Sequence, residues 1–146
     1  MEEISKIKLA EILAAYAHKG QKDKGGRDYI FHPIEVAAGL ETEDEKITGL
    51  LHDVLEDTFV KEETLRNLFG DRICDAVVTL TRKENEGYEE YICRVKNNPL
   101  AVKVKLQDLK HNMDLSRLKC IDEKDLQRLE KYRKAEKYLK EGGKEQ

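Results

Sequence analysis

Tryptophan is missing from this sequence, proline occurs twice, and aromatic residues make up only 6 %. So thin a supply of aromatic side chains disfavours an all-β sandwich. Cysteine is nearly as scarce. Cys74, Cys93 and Cys120 are odd in number, far apart and without a Cys-x-x-Cys spacing, so they read as reduced thiols of a cytoplasmic protein. Long apolar runs are lacking too: the longest, residues 12–17, spans six residues, against the ~20 that a membrane-crossing helix needs. The opening Met-Glu-Glu-Ile-Ser has no basic stretch leading into an apolar one, so no secretory signal is expected. Nor does one charge dominate. With 27 Lys+Arg against 30 Asp+Glu interspersed along the chain, no field is expected that would hold duplex nucleic acid.

What the sequence has in plenty is charge of both signs. Charged residues reach 39 %, where about 25 % is usual. The 146 residues suit one domain and suffice to bury about two-thirds of the unfolded surface without disulfides or a structural metal. No internal repeat occurs, and only residues 141–146 form a polar tail.

Spacings of three and four predict helices throughout. Ile4, Ile7, Ala10, Ala14 and Ala17 mark the first, over residues 2–18, with Gly20 just beyond its end. Residues 19–28 read as a loop. Pro33 opens a short helix to about residue 40. Thr42 and Glu45 have capping-box spacing for a helix continuing to about Glu56. Further helices are expected over 62–69, stopped by Gly70, over 71–81 and over 88–96. Asn98-Pro99 caps another running from 100 to about 113, and Asp122 caps a last one continuing to 140. Leu126, Leu129 and Leu139 give this last helix an apolar side, which either closes the core or pairs with another subunit in a homo-oligomer. No segment alternates with period two, so the expected fold is all-α.

Chemistry concentrates in residues 47–57. At about 100° per residue, Ile47, Leu50, Leu51, Val54 and Leu55 share one arc of the helix. His52, Asp53, Glu56 and Asp57 occupy a separate arc with no lysine or arginine among them. An ordinary solvated face is one reading. The other is a donor cluster, because crowded carboxylates raise one another's pKa unless a cation sits among them. Asp108 borders an apolar stripe of Val102, Leu106, Leu109 and Met113, with Asn112 one turn on. A carboxylate there needs a partner, either a nearby lysine or a metal.

Five motifs in order now carry a family resemblance. Ala17-His18-Lys19-Gly20-Gln21, Tyr29-Ile30-Phe31-His32-Pro33, Leu50 to Thr58, Phe69-Gly70 and Lys105 to Met113 resemble the HD-domain metal-dependent phosphohydrolases. The closer likeness is to the hydrolase domain of the RelA/SpoT alarmone enzymes. It spans about residues 10–118 and implies a helical bundle of about seven to eight helices in one HD domain. It also implies that His32, His52, Asp53 and Asp108 ligate one divalent ion, usually manganese, and that Glu56 and Asp57 are the acidic pair acting on the attacking water. Asn112 matches a nucleotide contact, Lys24 matches a phosphate contact, and His18 belongs to the motif preceding the substrate loop.

Two departures bear on the substrate. Asp23-Lys24 replaces an Arg-Lys pair whose arginine helps hold guanine, and Arg27 is the nearest guanidinium that could substitute. Asp114-Leu115 replaces the family's Arg-Thr. The expected function is therefore manganese-dependent 3′-pyrophosphohydrolysis of guanosine 3′,5′-bis(diphosphate) and its triphosphate analogue. The alternatives are an HD phosphohydrolase acting on another nucleotide and a non-catalytic nucleotide-sensing module.

Overall fold

The computed structural model describes residues 4–116 and 118–141. Among them nine helices run in order: α1 Lys6–Ala17, α2 Phe31–Ala38, α3 Glu43–Leu51, α4 Val54–Asp57, α5 Glu62–Phe69, α6 Asp71–Thr79, α7 Tyr88–Val95, α8 Pro99–Asn112 and α9 Glu123–Glu141. The described residues hold no strand, only an isolated bridge between Lys22 and Asp28. The expected all-α class therefore holds. No helix among them is long and apolar enough to cross a membrane.

Local signals set most of the ends. Thr42 Oγ1 accepts from the Glu45 amide at 3.1 Å while Glu45 Oε1 accepts from the Thr42 amide at 3.3 Å, completing the capping box. Asn98 Oδ1 accepts from the Ala101 amide at 3.0 Å with Pro99 first in α8. Gly70 links α5 to α6 at φ +90°, a conformation that only glycine adopts without strain. Other ends differ from expectation. Ser5 caps α1, accepting from the Lys8 amide, so the helix starts later than the apolar spacing suggests. The expected start at residue 2 lies outside the described residues. Helix α2 starts two residues before Pro33, which sits in the first turn, where its missing N–H costs nothing.

The largest departure lies between α3 and α4. A continuous helix to Glu56 is interrupted at His52 and Asp53, where Asp53 takes φ −107° and ψ −1°. His52 Nδ1 lies 2.6 Å from the Gly49 carbonyl, the group that an unbroken helix would offer to the Asp53 amide. The side chain takes over a backbone acceptor, and the helix breaks at the two residues of greatest chemical interest.

Helix α3 is the centre of the bundle, packed on α1, α2, α6 and α8. One core cluster gathers Ile47, Leu51, Val54, Leu65, Phe69 and Val77. The other gathers Val36, Tyr91, Val95, Val104, Leu109 and Leu139, bringing α9 against α7 and α8. Of the last helix's apolar side, Ala135 and Leu139 are buried while Leu126 is exposed. The stripe of α8 is also rotated from expectation. Ala101, Val104, Asp108 and Leu109 are buried, with Val102, Leu106 and Met113 only partly so. Asp108 thus belongs to the buried face rather than its border.

Gly49 fixes how closely α2 approaches α3. A Cβ there would lie 2.9 Å from Leu40 Cδ1 and 3.3 Å from the Ala37 Cα. Overpacking of this kind costs about 1–3 kcal/mol, offset by the ~1 kcal/mol that alanine gains over glycine in a helix. Gly49→Ala is expected to melt below wild type and to displace His32, on α2, from His52. A variant melting at or above the wild-type temperature would show that the two helices part freely.

Candidate active site

The break between α3 and α4 turns His52 and Asp53 towards α2 and α8. His32, buried in the first turn of α2, places Nε2 2.8 Å from Asp108 Oδ1. His52 Nε2 lies 3.1 Å from Asp53 Oδ2 and 3.4 Å from Asp108 Oδ1. One donor atom from each of His32, His52 and Asp53 lies within 4.8 Å of the others, and so does one carboxylate oxygen from each of Asp53, Glu56 and Asp57. Residues far apart in sequence therefore meet at one point.

The protonation pattern there is informative. With Nδ1 donating to the Gly49 carbonyl, neutral His52 presents a bare lone pair at Nε2, and that buried atom has no hydrogen-bond partner. It faces two carboxylate oxygens. A lone pair among negative oxygens calls for a positive species between them. Burial acts to lower the His52 pKa, but Asp53 and Asp108 outweigh it and hold the imidazole well above its ordinary value. Burial likewise acts to raise the Asp108 carboxyl, yet Lys105, His32 and His52 keep it well below the carboxylate range. A proton on His52 serves the metal-free site, and a divalent ion with imidazole and carboxylate ligands suits the same atoms. The donor set fits a metal.

Surrounding groups hold these side chains in place. Lys105 Nζ donates to Asp108 Oδ2 at 2.8 Å, and Asn112 Nδ2 donates to Oδ1 at 3.0 Å. The lysine and the histidines thus divide the carboxylate between them. Tyr29 Oη donates to Asp53 Oδ2. His111 Nδ1 lies 2.6 Å from His32 Nδ1, and its Nε2 lies 2.6 Å from Glu35 Oε2. Tyr29 and His111 stand inside the recognised motifs without having been singled out, whereas nothing in the spacing marks Glu35.

Glu56 and Asp57 stand at the exposed edge, and Glu56 Oε1 accepts from the Arg82 amide at 3.2 Å. Partial desolvation and neighbouring carboxylates, Asp53 in both cases, raise both above the ordinary carboxylate range. His18 is buried behind Tyr29, with ring centroids 5.0 Å apart. Its Nδ1 bonds Gln21 Oε1 at 2.9 Å, and Gln21 Nε2 donates to the Asp57 carbonyl at 2.9 Å.

A cavity of about 330 Å³ adjoins the site. Tyr29 and Asn112, which touch Asp53 and Asp108, form part of its wall, together with Lys24, Asp23 and Asp114. Arg27 does not line it. Its guanidinium pairs with Glu35 at 3.0 Å and lies 4.2 Å above the Phe31 ring. A larger groove of about 570 Å³ between α1, α2 and α3 is lined by none of the converging donors.

Fold and site together define an all-α domain built around a mixed imidazole and carboxylate centre. The family model of the HD domain matches residues 10–135, and the chain belongs to that family. It is 36 % identical over 125 residues to a Myxococcus xanthus GTP pyrophosphokinase, covering 73 % of this chain and 16 % of the relative. It is 38 % identical over 117 residues to a Haemophilus influenzae guanosine-3′,5′-bis(diphosphate) 3′-pyrophosphohydrolase, covering 70 % of this chain and 17 % of that one. The chain thus spans about a sixth of the length of these curated relatives. Among solved structures, one described as a metazoan ortholog of SpoT that hydrolyses ppGpp superposes with a TM-score of 0.74 at 24 % identity, covering 95 % of this chain and 87 % of that one. That likeness supports the fold.

Proposed function

We propose that this domain is a metal-dependent phosphohydrolase that removes pyrophosphate from the 3′ position of guanosine 3′,5′-bis(diphosphate). The observation that carries the reading is the meeting of His32, His52, Asp53 and Asp108 beside the acidic pair Glu56 and Asp57. The names of the relatives supply the substrate class. His32, His52, Asp53 and Asp108 would hold one divalent ion, with manganese the proposed metal and the cytoplasm the proposed compartment. Such an ion, when bound, polarises a phosphoryl oxygen and acidifies water.

The chain's own groups account for the rest. Glu56 accepts a proton from the attacking water as its oxygen bonds to the 3′-linked phosphorus. The bond from that phosphorus to the ribose oxygen breaks, and the proton passes to the departing oxygen, leaving GDP and pyrophosphate. Asp57 shares the same edge and orients the water. Lys24 and Asn112, on the cavity wall, face the nucleotide. His18 and Gln21 support Tyr29 and the Asp57 backbone from behind.

Release of pyrophosphate and GDP in the presence of manganese tests the reading, run beside nucleoside triphosphates and monophosphates. Turnover of guanosine 3′,5′-bis(diphosphate) is the expected result, and inertness towards it with hydrolysis of another nucleotide would overturn the substrate assignment. That second reading draws support from Asp23 and Asp114 in the cavity wall, where the resembling family carries arginines.

His111 gives a prediction about the centre itself. For His32 Nε2 to offer a lone pair to a metal, its proton must sit on Nδ1 and point to His111 Nδ1, leaving the His111 proton on Nε2 towards Glu35. His111→Ala is expected to weaken manganese binding roughly 10- to 100-fold, measured by competition with a chromophoric chelator. Unchanged affinity would mean that His32 is oriented without it.

A further inference from the structure

Helix α9 lies beyond the five motifs, yet it forms a wall of the cavity beside the candidate centre. Asp125, Arg128, Leu129 and Tyr132 contribute to that wall from its first turns. The reciprocal bonds of Asp122 and Asp125 explain why this end of the helix is well placed. The Asp125 amide donates to Asp122 Oδ1 at 2.8 Å, and the Asp122 amide donates to Asp125 Oδ2 at 3.0 Å. The Asp125 carboxylate is buried and accepts from both Lys24 Nζ, across the cavity mouth, and Arg128 Nη2. One negative charge thus fixes two cations, and the charges lining the cavity balance, Lys22, Lys24 and Arg128 against Asp23, Asp114 and Asp125.

Chemistry distinguishes two kinds of wall in the cavity. The scissile phosphorus belongs near Tyr29 and Asn112, which touch the converging carboxylates. Leu115, Leu118, Leu129 and Tyr132 line the cavity with apolar surface, which suits a planar base rather than a phosphate. Arg128 is the one guanidinium among the described residues that line this space. It has five N–H donors, and its bond to Asp125 runs through Nη2.

We propose that Arg128 is the specificity-determining residue for the substrate's base, its guanidinium reading the O6 and N7 acceptors of guanine while Asp125 positions it. The inference rests on the pyrophosphohydrolase reading above and assigns to α9 the guanidinium that the substrate loop lacks at Asp23. Adenine offers an amino group where guanine offers O6, so a fork of N–H donors discriminates against it. Lysine keeps the charge beside Asp125 but cannot bridge two acceptors in one plane.

The test measures kcat and KM of the full chain with manganese on guanosine 3′,5′-bis(diphosphate) and on its adenosine counterpart. Equilibrium dialysis of GDP and ADP runs alongside, for wild type, Arg128→Lys and Arg128→Ala. Wild type is expected to prefer guanine. Both variants are expected to lose roughly 10- to 100-fold of that preference, mainly in KM, with metal content unchanged. Arg128→Lys preserves the pairing with Asp125, so its melting temperature reports whether the fold is intact. A guanine-to-adenine ratio in Arg128→Lys equal to that of wild type would overturn the proposal. Should wild type hydrolyse neither nucleotide, the functional reading fails; a GDP-over-ADP preference lost in Arg128→Lys would then still support the base contact, and an unaltered or absent preference would sink it.

Discussion

Asp53→Asn is expected to bind manganese at least roughly 100-fold more weakly than wild type, an effect beyond the usual range for outer-sphere partners, and to lose turnover with it. The substitution is close to isosteric. Asparagine offers Tyr29 Oη the same kind of acceptor, and the turn between α3 and α4 rests on His52 and the Gly49 carbonyl rather than on the Asp53 side chain. The fold should therefore survive, and the melting temperature of the metal-free protein should stay within a few degrees of wild type. What disappears is the charge. In the metal-free protein burial pushes Asp53 upward, but the adjacent His52 prevails and holds it at about 2, so the carboxylate is ionised throughout the neutral range. Asp108→Asn is a harsher change, because it leaves the Lys105 ammonium buried without its counter-charge, at a cost of about 3–5 kcal/mol. Elemental analysis after gel filtration, paired with thermal melting, separates the two. Wild-type manganese content in Asp53→Asn would remove Asp53 from the ligand set.

How far the centre could be read from sequence depends on the range of the interactions involved. Thr42 with Glu45, Asn98 with Pro99, and Gly70 are local signals, each decided within four residues, and each marks a helix end in the structure. The break at His52 was hidden because apolar spacing runs unbroken from Ile47 to Leu55. A backbone carbonyl captured by an imidazole leaves no trace in that period. Spacing places Asp108 at the border of its stripe for a related reason: its partners Lys105 and Asn112 are local, but His32 arrives from α2. Nothing in the spacing of the sequence marks Glu35 or Asp125. Only the tertiary fold brings one to His111 and the other to Lys24.

A division of labour follows among the carboxylates. Asp53 and Asp108 are kept ionised by positive neighbours, as the proposed ligand role requires. Glu56 and Asp57, at the exposed edge and facing other acids, are pushed the other way. Four acids within one centre thus separate into two that hold charge and two suited to exchanging protons.

Glu56→Gln tests that separation. The glutamine retains the size of the side chain and an acceptor for the Arg82 amide, so manganese content and melting temperature are expected to match wild type. Turnover should fall by roughly 10²–10⁴-fold, the usual contribution of a general base, with KM little changed. The pH profile is the more telling measurement. A base works only when deprotonated, and desolvation with Asp57 and Asp53 nearby raises the Glu56 pKa above the ordinary 4.5. Wild-type kcat should therefore rise with pH through a step lying above that value, from a protonated, inactive form to an ionised, active one. Loss of metal at low pH would produce a step in the same direction, so the profile is measured at saturating manganese, with bound metal followed in parallel. In Glu56→Gln the step in kcat should vanish while the acid release of metal persists. A variant that keeps both the step and the rate would show that the water's proton goes elsewhere, with Asp57 the nearest acceptor to examine.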